Sequence, residues 1–257
     1  MPTPASHQLP PPSADLIAGA SLFLDFDGTL VEIAERHDAV VVDDDLRALV
    51  AALARRLEGR LAIVSGRSVD EILAYLVPPG APPGFAIAGS HGLELMLPCG
   101  RRERPEPPET LTETIEELKQ LARITPGLVI EEKPFGAALH YRQAPEAAEA
   151  VETLARTVAG RGVFTLQHGK MVWELRIAGP DKGDAVKALI AEPPMAGTRP
   201  VFVGDDLTDE AGFRAAIGLG GTAILVGERW DSAADRGLPN VPAVHAWLAR
   251  IAERVAA

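Results

Sequence analysis

The chain has 257 residues, of which 47% are apolar, and a formal net charge of −11. This length allows one or two domains with a large core, while the negative charge disfavours binding to nucleic acid or to anionic membranes. No apolar run approaches the roughly 18 residues of a membrane-spanning helix, no secretory signal is recognisable, and a single cysteine excludes an internal disulfide. We therefore expect a cytoplasmic protein whose partner is a small molecule. We also expect a monomer, although composition and charge do not give the oligomeric state.

The first part of the chain alternates strands and helices. Five prolines among the first twelve residues predict a disordered tail over residues 1–15. The stretch 22–30, LFLDFDGTL, begins as a buried strand, and residues 43–59 carry leucine and valine at helical spacing. Two more apolar strands follow at 61–66 and 85–90, with a capped helix between them. This alternation predicts a parallel sheet covered by helices.

The pattern changes after about residue 98. A proline-rich link precedes a helix at 110–124, and the segments 128–142 and 163–177 read as paired antiparallel strands with a helix between them. These elements predict a smaller α+β domain over residues 101–180.

The first pattern returns in the last part of the chain. We expect a helix at about 183–191, strands at 199–206 and 222–227, and an amphipathic helix that closes the chain. The predicted fold class is therefore α/β, with a doubly wound, mainly parallel sheet built from residues 16–100 and 181–257. The α+β domain is inserted between these two parts.

Polar side chains follow three strands of the predicted core. Asp25 and Asp27 end the first strand, Ser65 ends the second, and Asp205 and Asp206 end the strand at 199–206. Any one of these could belong to an ordinary turn. Because ligands in open α/β sheets bind beyond the carboxyl ends of strands, however, the three groups are expected to share one site.

The carboxylates in these groups favour a metal ion. Asp25 and Asp27 lie two positions apart and can face the same side, and two such carboxylates do not both ionise easily without a cation. With Asp205 they offer the hard oxygen donors that Mg²⁺ prefers. The absence of cysteine and histidine at these strand ends argues against zinc.

Four motifs in the chain resemble those of the haloacid-dehalogenase-like phosphatases. They occur in the required order: DFDGT from Asp25, SGR from Ser65, the lysine Lys182 in PDKGDAV, and GDDLTDE at 204–210. Longer blocks resemble the trehalose-6-phosphate phosphatases from about residue 22 to 213: FLDFDGTL, AIVSGR, AGSHGLE, EEKPFGAALHYR, WELRIAGPDKGDAV and VFVGDDLTDEAGF. That family carries a cap domain where we place the insertion.

The resemblance implies a phosphatase that hydrolyses trehalose 6-phosphate. Asp25 would attack phosphorus and form an aspartyl-phosphate. Asp27 would protonate the leaving sugar oxygen and then deprotonate the attacking water, as a general acid and base. Ser65 and Lys182 would complete the catalytic set by stabilising the phosphoryl oxygens.

The same resemblance implies Mg²⁺ as the cofactor. Its ligands would be Asp25, the backbone carbonyl of Asp27, and Asp205, with Asp206 or Asp209 close behind them. The ion would offset the repulsion between the nucleophile and the anionic phosphate.

Substrate contacts are expected from both domains. Gly28 and Gly66 would let the backbone approach the phosphate, with Arg67 and Asp209 beside them, whereas His91 is expected to shape the hinge between the domains. The cap would bind the sugar through charged residues that alternate along its strands: Glu131, Lys133, His140, Arg142, Lys170 and Glu174.

Two alternatives stay open at this point. The same fold and mechanism would serve another substrate, such as sucrose phosphate, mannosyl phosphoglycerate or a hexose phosphate. A non-enzymatic alternative is a receiver-type signalling module in which Asp25 accepts a phosphoryl group, although receivers are usually half as long and have no inserted cap.

Overall fold

The computed structural model of the chain describes residues 9–33, 39–169, 171–229 and 231–253. The chain divides into two compact units. The core unit contains the described residues up to Arg104 and from Pro180 onward, and the inserted unit is Pro105–Gly179. Among the described helices, none combines the length and the apolar character that crossing a membrane requires.

The core unit is built on an eight-stranded sheet with the order β12-β11-β10-β1-β2-β3-β4-β5. All neighbours pair in parallel except β3 with β4 and β4 with β5, which are antiparallel. The strands are β1 Ala20–Leu24, β2 Leu61–Val64, β3 Ala86–Gly89, β4 Glu94–Met96, β5 Arg102–Glu103, β10 Arg199–Gly204, β11 Thr222–Val226 and β12 Arg236–Leu238.

Helices cover both faces of this sheet. On β1, Leu22 and Leu24 belong to one apolar cluster together with Trp247, while Phe23 between them belongs to a second cluster with Phe202. Burial on both faces explains why the strands read as continuous apolar runs. The helices are α1 Asp44–Arg56, α2 Val69–Leu76, α5 Lys182–Ile190, α6 Asp209–Gly218 and α7 Val241–Glu253.

The inserted unit is a four-stranded antiparallel sheet with the order β6-β7-β9-β8 and two helices. Helix α3 lies against β6 and β7, and α4 lies against β8 and β9. Because successive strand residues face opposite sides, one face is apolar and the other is charged. The elements are α3 Thr110–Ile124, β6 Val129–Lys133, β7 Gly136–His140, α4 Ala148–Ala159, β8 Phe164–Gly169 and β9 Val172–Ile177.

The expected disordered tail is wrong for residues 9–15. The Gly237 N–H donates a hydrogen bond to the Pro10 carbonyl at 3.1 Å, and the Ser13 side chain caps a short 3₁₀ turn, Ala14–Ile17, in which Ile17 is buried. Backbone pairing beside β12 and a buried isoleucine order this segment despite its proline-rich composition. Residues 1–8 of the expected tail lie outside the described residues.

Candidate active site

The loop after β1 places Asp25 in the interior of the core unit. Asp25 is only 3% exposed, and its Oδ1 accepts a hydrogen bond from Lys182 Nζ at 2.7 Å. The loop is shaped by the Phe26 carbonyl, which accepts the N–H groups of Leu30 at 2.9 Å and Val31 at 3.0 Å. Since Phe26 itself is fully buried, the turn anchors the loop in the core.

Lys182 bridges two carboxylates inside the protein. It begins α5, and its Nζ also donates to Asp209 Oδ1 at 2.7 Å. Burial alone would lower the pKa of Lys182, but the charges of Asp209 and Asp25 outweigh it and raise that pKa well above the ordinary value. The lysine is therefore a fixed positive charge beside Asp25.

Three carboxylates converge around this lysine. Ligand oxygens of Asp25, Asp205 and Asp209 all lie within 4.8 Å of one another. Burial, and then the negative charge of Asp209, raise the pKa of Asp25 well above its ordinary value and the pKa of Asp205 to about 7. One lysine does not neutralise three acids, so this arrangement suits a divalent cation with hard oxygen ligands, such as Mg²⁺.

Gly28 makes the approach of Asp205 possible. Its φ is +87°, which disfavours any residue with a side chain, and a Cβ at this position would overlap the Asp205 carboxylate. The glycine therefore serves both the turn and the close contact between the first and last motifs.

The structure corrects the expected roles of Asp206 and Asp209. Asp206 is exposed, and its Oδ1 accepts hydrogen bonds from the backbone and hydroxyl groups of Thr208 at 2.8 and 2.6 Å. Its carboxylate is not among the three whose oxygens lie within 4.8 Å of one another. Asp209, expected beside the substrate, is 0% exposed. Its Oδ2 accepts the N–H groups of Asp205 at 2.9 Å and Asp206 at 3.0 Å.

Arg67 also differs from expectation, because it is bound to Asp27. Its Nε and Nη2 donate to the two oxygens of Asp27, each at 2.7 Å. The guanidinium is 3% exposed and lies 5.7 Å from the centre of the Phe26 ring and 5.3 Å from that of Tyr75. Two aromatic rings beside the guanidinium and its two hydrogen bonds to one carboxylate hold Arg67 against Asp27.

Ser65 lies in the same part of the core unit. It follows β2, the strand next to β1, and is almost fully buried. Its Oγ accepts the Arg67 N–H at 3.1 Å, which fixes the start of the SGR loop. Arg67 at the other end of this loop is tied to Asp27.

The inserted unit gathers four of the six expected sugar-binding residues on the charged face of its sheet. Lys133 Nζ donates to Glu174 Oε1 at 2.7 Å, and His140 Nε2 lies 2.8 Å from Glu131 Oε2. The strand register places these residues on one face, opposite the apolar face that carries Leu139.

Two expected residues do not join them, and two others do. Arg142 is exposed in the turn after β7, and Lys170 lies outside the described residues. Gln167 pairs with Glu174 and Arg176 pairs with Gly136, so both belong to the charged face. Their spacing of two residues along β8 and β9 is the signal that would have found them.

Comparisons with known proteins point to one family. A family model described as trehalose-phosphatase matches residues 23–228. A Sinorhizobium fredii protein described as a probable trehalose-phosphate phosphatase is 39% identical over 90% of this chain and 87% of its own length. The trehalose-6-phosphate phosphatase of Escherichia coli K12 is 38% identical over 92% of this chain and 88% of its own.

Solved structures show the same fold. A trehalose-6-phosphate phosphatase related protein superimposes with a TM-score of 0.73 at 26% identity, covering 91% of this chain and 97% of the other. A haloacid dehalogenase-like hydrolase from Bacteroides thetaiotaomicron reaches a TM-score of 0.65 at 15% identity, covering 90% and 99%. The second likeness concerns the fold alone.

Proposed function

Since the chain belongs to the trehalose-phosphatase family, a group of phosphoric monoester hydrolases, we propose that it hydrolyses trehalose 6-phosphate to trehalose and phosphate. The observation that carries this proposal is the buried contact of Asp25 with Lys182 in a cluster completed by Asp205 and Asp209. Such a cluster can hold a nucleophile, a fixed positive charge and a cation in one place.

In the proposed mechanism Asp25 is the nucleophile. Its carboxylate attacks phosphorus while the bond to the sugar oxygen breaks, and the departing electron pair stays on that oxygen. Lys182, held 2.7 Å from Asp25, stabilises the charge that develops on the phosphoryl oxygens. Water then attacks the phosphorus of the aspartyl-phosphate and releases phosphate, which regenerates the Asp25 carboxylate.

Asp27 supplies and removes the protons in this scheme. It donates a proton to the leaving sugar oxygen and takes one from the attacking water, which contributes about 10²–10⁴-fold to each step. The two hydrogen bonds from Arg67 fix the orientation of its carboxylate. Arg67 therefore acts through Asp27.

The donor set fits Mg²⁺. Both oxygens of Asp209 already accept hydrogen bonds from this chain, so Asp25 and Asp205 would be the direct carboxylate ligands, with the Asp27 carbonyl, and Asp209 would orient Asp205 and Lys182. When bound, the ion offsets repulsion between the Asp25 carboxylate and the phosphate.

We further propose that the charged face of the inserted unit binds the sugar. Glu131, Lys133, His140 and Glu174 surround the small residues Gly136 and Ala138 on strand β7, so their charged groups lie together on one face of the sheet. A disaccharide offers many hydroxyl groups, and a site that hydrogen-bonds them discriminates against analogues that leave its polar groups unpaired.

A phosphate-release assay tests the function. The purified protein would be incubated with trehalose 6-phosphate, sucrose 6-phosphate, mannosyl phosphoglycerate and glucose 6-phosphate, with Mg²⁺ or with EDTA. We expect the highest kcat/KM with trehalose 6-phosphate and loss of turnover in EDTA that added Mg²⁺ restores. A higher kcat/KM with any other member of the panel would refute the substrate, and full activity in EDTA would refute the cofactor.

A further inference from the structure

A strained turn lies beside the loop that follows β2. Ser90 and His91, directly after β3, are consecutive residues in the left-handed conformation, with φ of 51° and 58°. Residues with side chains adopt this conformation at a cost, and it persists only where surrounding contacts impose it. The groups that contact this turn therefore show which part of the structure the turn holds in place.

The backbone of the turn is bonded to both sides of Gly66. The His91 N–H donates to the Ser65 carbonyl at 2.9 Å, and the Ser90 N–H donates to the Arg67 carbonyl at 2.7 Å. These two bonds clamp the SGR loop, which carries Ser65 into the site.

The imidazole of His91 occupies the place of a side chain at position 66. A Cβ at Gly66 would lie 2.6 Å from His91 Nε2 and 2.7 Å from Cε1. The backbone of Gly66 is not in the left-handed region, so its own conformation does not require glycine. The His91 ring is the group that a side chain at position 66 would have to displace.

The other end of the turn touches the segment that carries Lys182. A Cβ at Gly92 would lie 2.6 Å from the carbonyl oxygen of Asp181 and 3.3 Å from the Ala185 Cβ. Asp181 is the N-cap of α5 and immediately precedes Lys182. The turn therefore contacts both the SGR loop and the start of α5.

A buried carboxylate fixes the turn from β4. Glu94 Oε2 accepts hydrogen bonds from Ser90 Oγ at 2.9 Å and from the Val69 N–H at 3.2 Å. This contact joins the turn to the first residue of α2 through one carboxylate.

We propose that His91 is a positioning residue for the phosphate-binding end of the site. Its ring holds Gly66 in place, and its strained turn sets the SGR loop against Lys182. This inference rests on the proposed function, in which Lys182 stabilises the transferred phosphoryl group, and on the expectation that Ser65 and Gly66 lie beside that group. The hinge role expected of His91 stays a separate prediction.

The first experiment separates this role from folding. His91→Gly removes the ring and relieves the strain, and Glu58→Gly is its matched control, because Glu58 is exposed, has a φ of 51° and lies between α1 and β2. We expect both variants to unfold at or above the wild-type temperature. Only His91→Gly should lower kcat/KM for p-nitrophenyl phosphate by at least about tenfold and raise the inhibition constant of inorganic phosphate by a similar factor. Wild-type kinetics in His91→Gly would overturn the proposal.

The second experiment tests the contact between the His91 ring and position 66. It compares the effect of one substitution in two backgrounds, so the stability of a single variant does not decide the result. Gly66→Ala should lower kcat/KM by at least about tenfold in the wild-type background, but by less than about threefold in His91→Gly, where the methyl group has room. If Gly66→Ala lowers kcat/KM by the same factor in the wild-type background and in His91→Gly, the proposal is overturned. Because the assay uses p-nitrophenyl phosphate, failure to hydrolyse trehalose 6-phosphate would refute the proposed function and leave this test intact.

Discussion

At the scale of single residues, the site is governed by buried charge. Lys182 contacts Asp25 and Asp209, and all three side chains are almost fully removed from water. A buried charge is stable only when a charged or polar partner compensates it. Removal of one partner leaves the remaining charged groups uncompensated in the low-dielectric interior. Substitutions here therefore affect ionisation as well as contacts.

Asp25→Asn tests the nucleophile. We expect turnover to fall by at least about 10³-fold, because an amide does not form the covalent intermediate. The unfolding temperature should not fall, because burial and Asp209 raise the pKa of Asp25 and a neutral amide is easier to bury. Phosphate release and thermal unfolding measure the two effects, with the exposed Asp70→Asn as the control. An active Asp25→Asn protein would refute the assignment.

Arg67→Met tests whether Arg67 acts through Asp27. We expect kcat/KM for trehalose 6-phosphate to fall by about 10²-fold, the scale of general acid catalysis. The fall should be far smaller for p-nitrophenyl phosphate, whose leaving group needs little protonation. Arg102→Met, which removes an exposed arginine paired with Asp70 at 2.7 Å, is the control. An equal loss with both substrates would instead indicate that Arg67 binds the phosphate.

At the scale of secondary-structure elements, two residues of the candidate site are the first residues of helices. Lys182 is the first residue of α5, and Asp209 is the first residue of α6. Asp181 and Asp184 form a capping box at the start of α5, in which each side chain accepts the backbone N–H of the other. This cap fixes the position at which α5 begins. It therefore also fixes the backbone position of Lys182.

Two helix caps offer a matched comparison. Asp181 caps α5, and Asp43 caps α1 by accepting the Leu46 N–H at 2.8 Å. We expect Asp181→Ala and Asp43→Ala each to cost about 1 kcal/mol of unfolding free energy. Only Asp181→Ala should also reduce kcat, because α5 carries Lys182, which the proposed mechanism uses, whereas α1 carries no residue of that mechanism. Denaturant unfolding and steady-state kinetics test this, and equal kcat values in the two variants would contradict it.

The charged face of the inserted unit allows a second comparison. Lys133 pairs with Glu174 at 2.7 Å on that face, whereas Lys119 on α3 pairs with Glu132 at 2.8 Å. We expect Lys133→Met to raise KM for trehalose 6-phosphate by about tenfold, as for one lost hydrogen bond to a charged group. It should leave p-nitrophenyl phosphate hydrolysis unchanged. Lys119→Met should change neither, and matching KM values for the two variants would exclude Lys133 from sugar binding.

At the scale of the whole molecule, folding of the core unit forces acidic groups together. Asp25 and Asp205 are 180 positions apart in the chain, yet they meet because β1 and β10 are neighbours in the sheet. The apolar clusters on both faces of this sheet oppose their repulsion. Metal binding should therefore be linked to global stability.

The sign of this linkage follows from Asp205. Its pKa rises from 3.8 to about 7 on folding, so the metal-free folded state holds a proton that the unfolded state has lost. Its contribution to stability is present below about pH 4 and is lost as the pH rises to about 7. We expect stabilisation by Mg²⁺ to be larger at about pH 8 than at about pH 6, as measured by thermal unfolding, and the difference to shrink in Asp205→Asn. Equal stabilisation at both pH values would contradict the linkage.

Sequence alone determined the class of fold and the identity of the principal acidic and basic groups. Continuous apolar strands followed by Asp25, Ser65 and Asp205 indicated a parallel sheet with a site at its edge, because side-chain period and strand-end chemistry are local properties. The motifs also indicated Lys182. Local pattern also marked the cap of α2, since a capping box spans only four residues.

Tertiary structure decided which partner each group takes. Only folding shows that Arg67 binds Asp27, that Asp209 and not Asp206 turns into the acidic cluster, and that His91 fills the space beside Gly66. Spacing in the chain cannot reveal these pairings, because they join loops from different strands and depend on side-chain direction. Burial then sets the ionisation of Asp25 and Lys182, which no linear pattern contains.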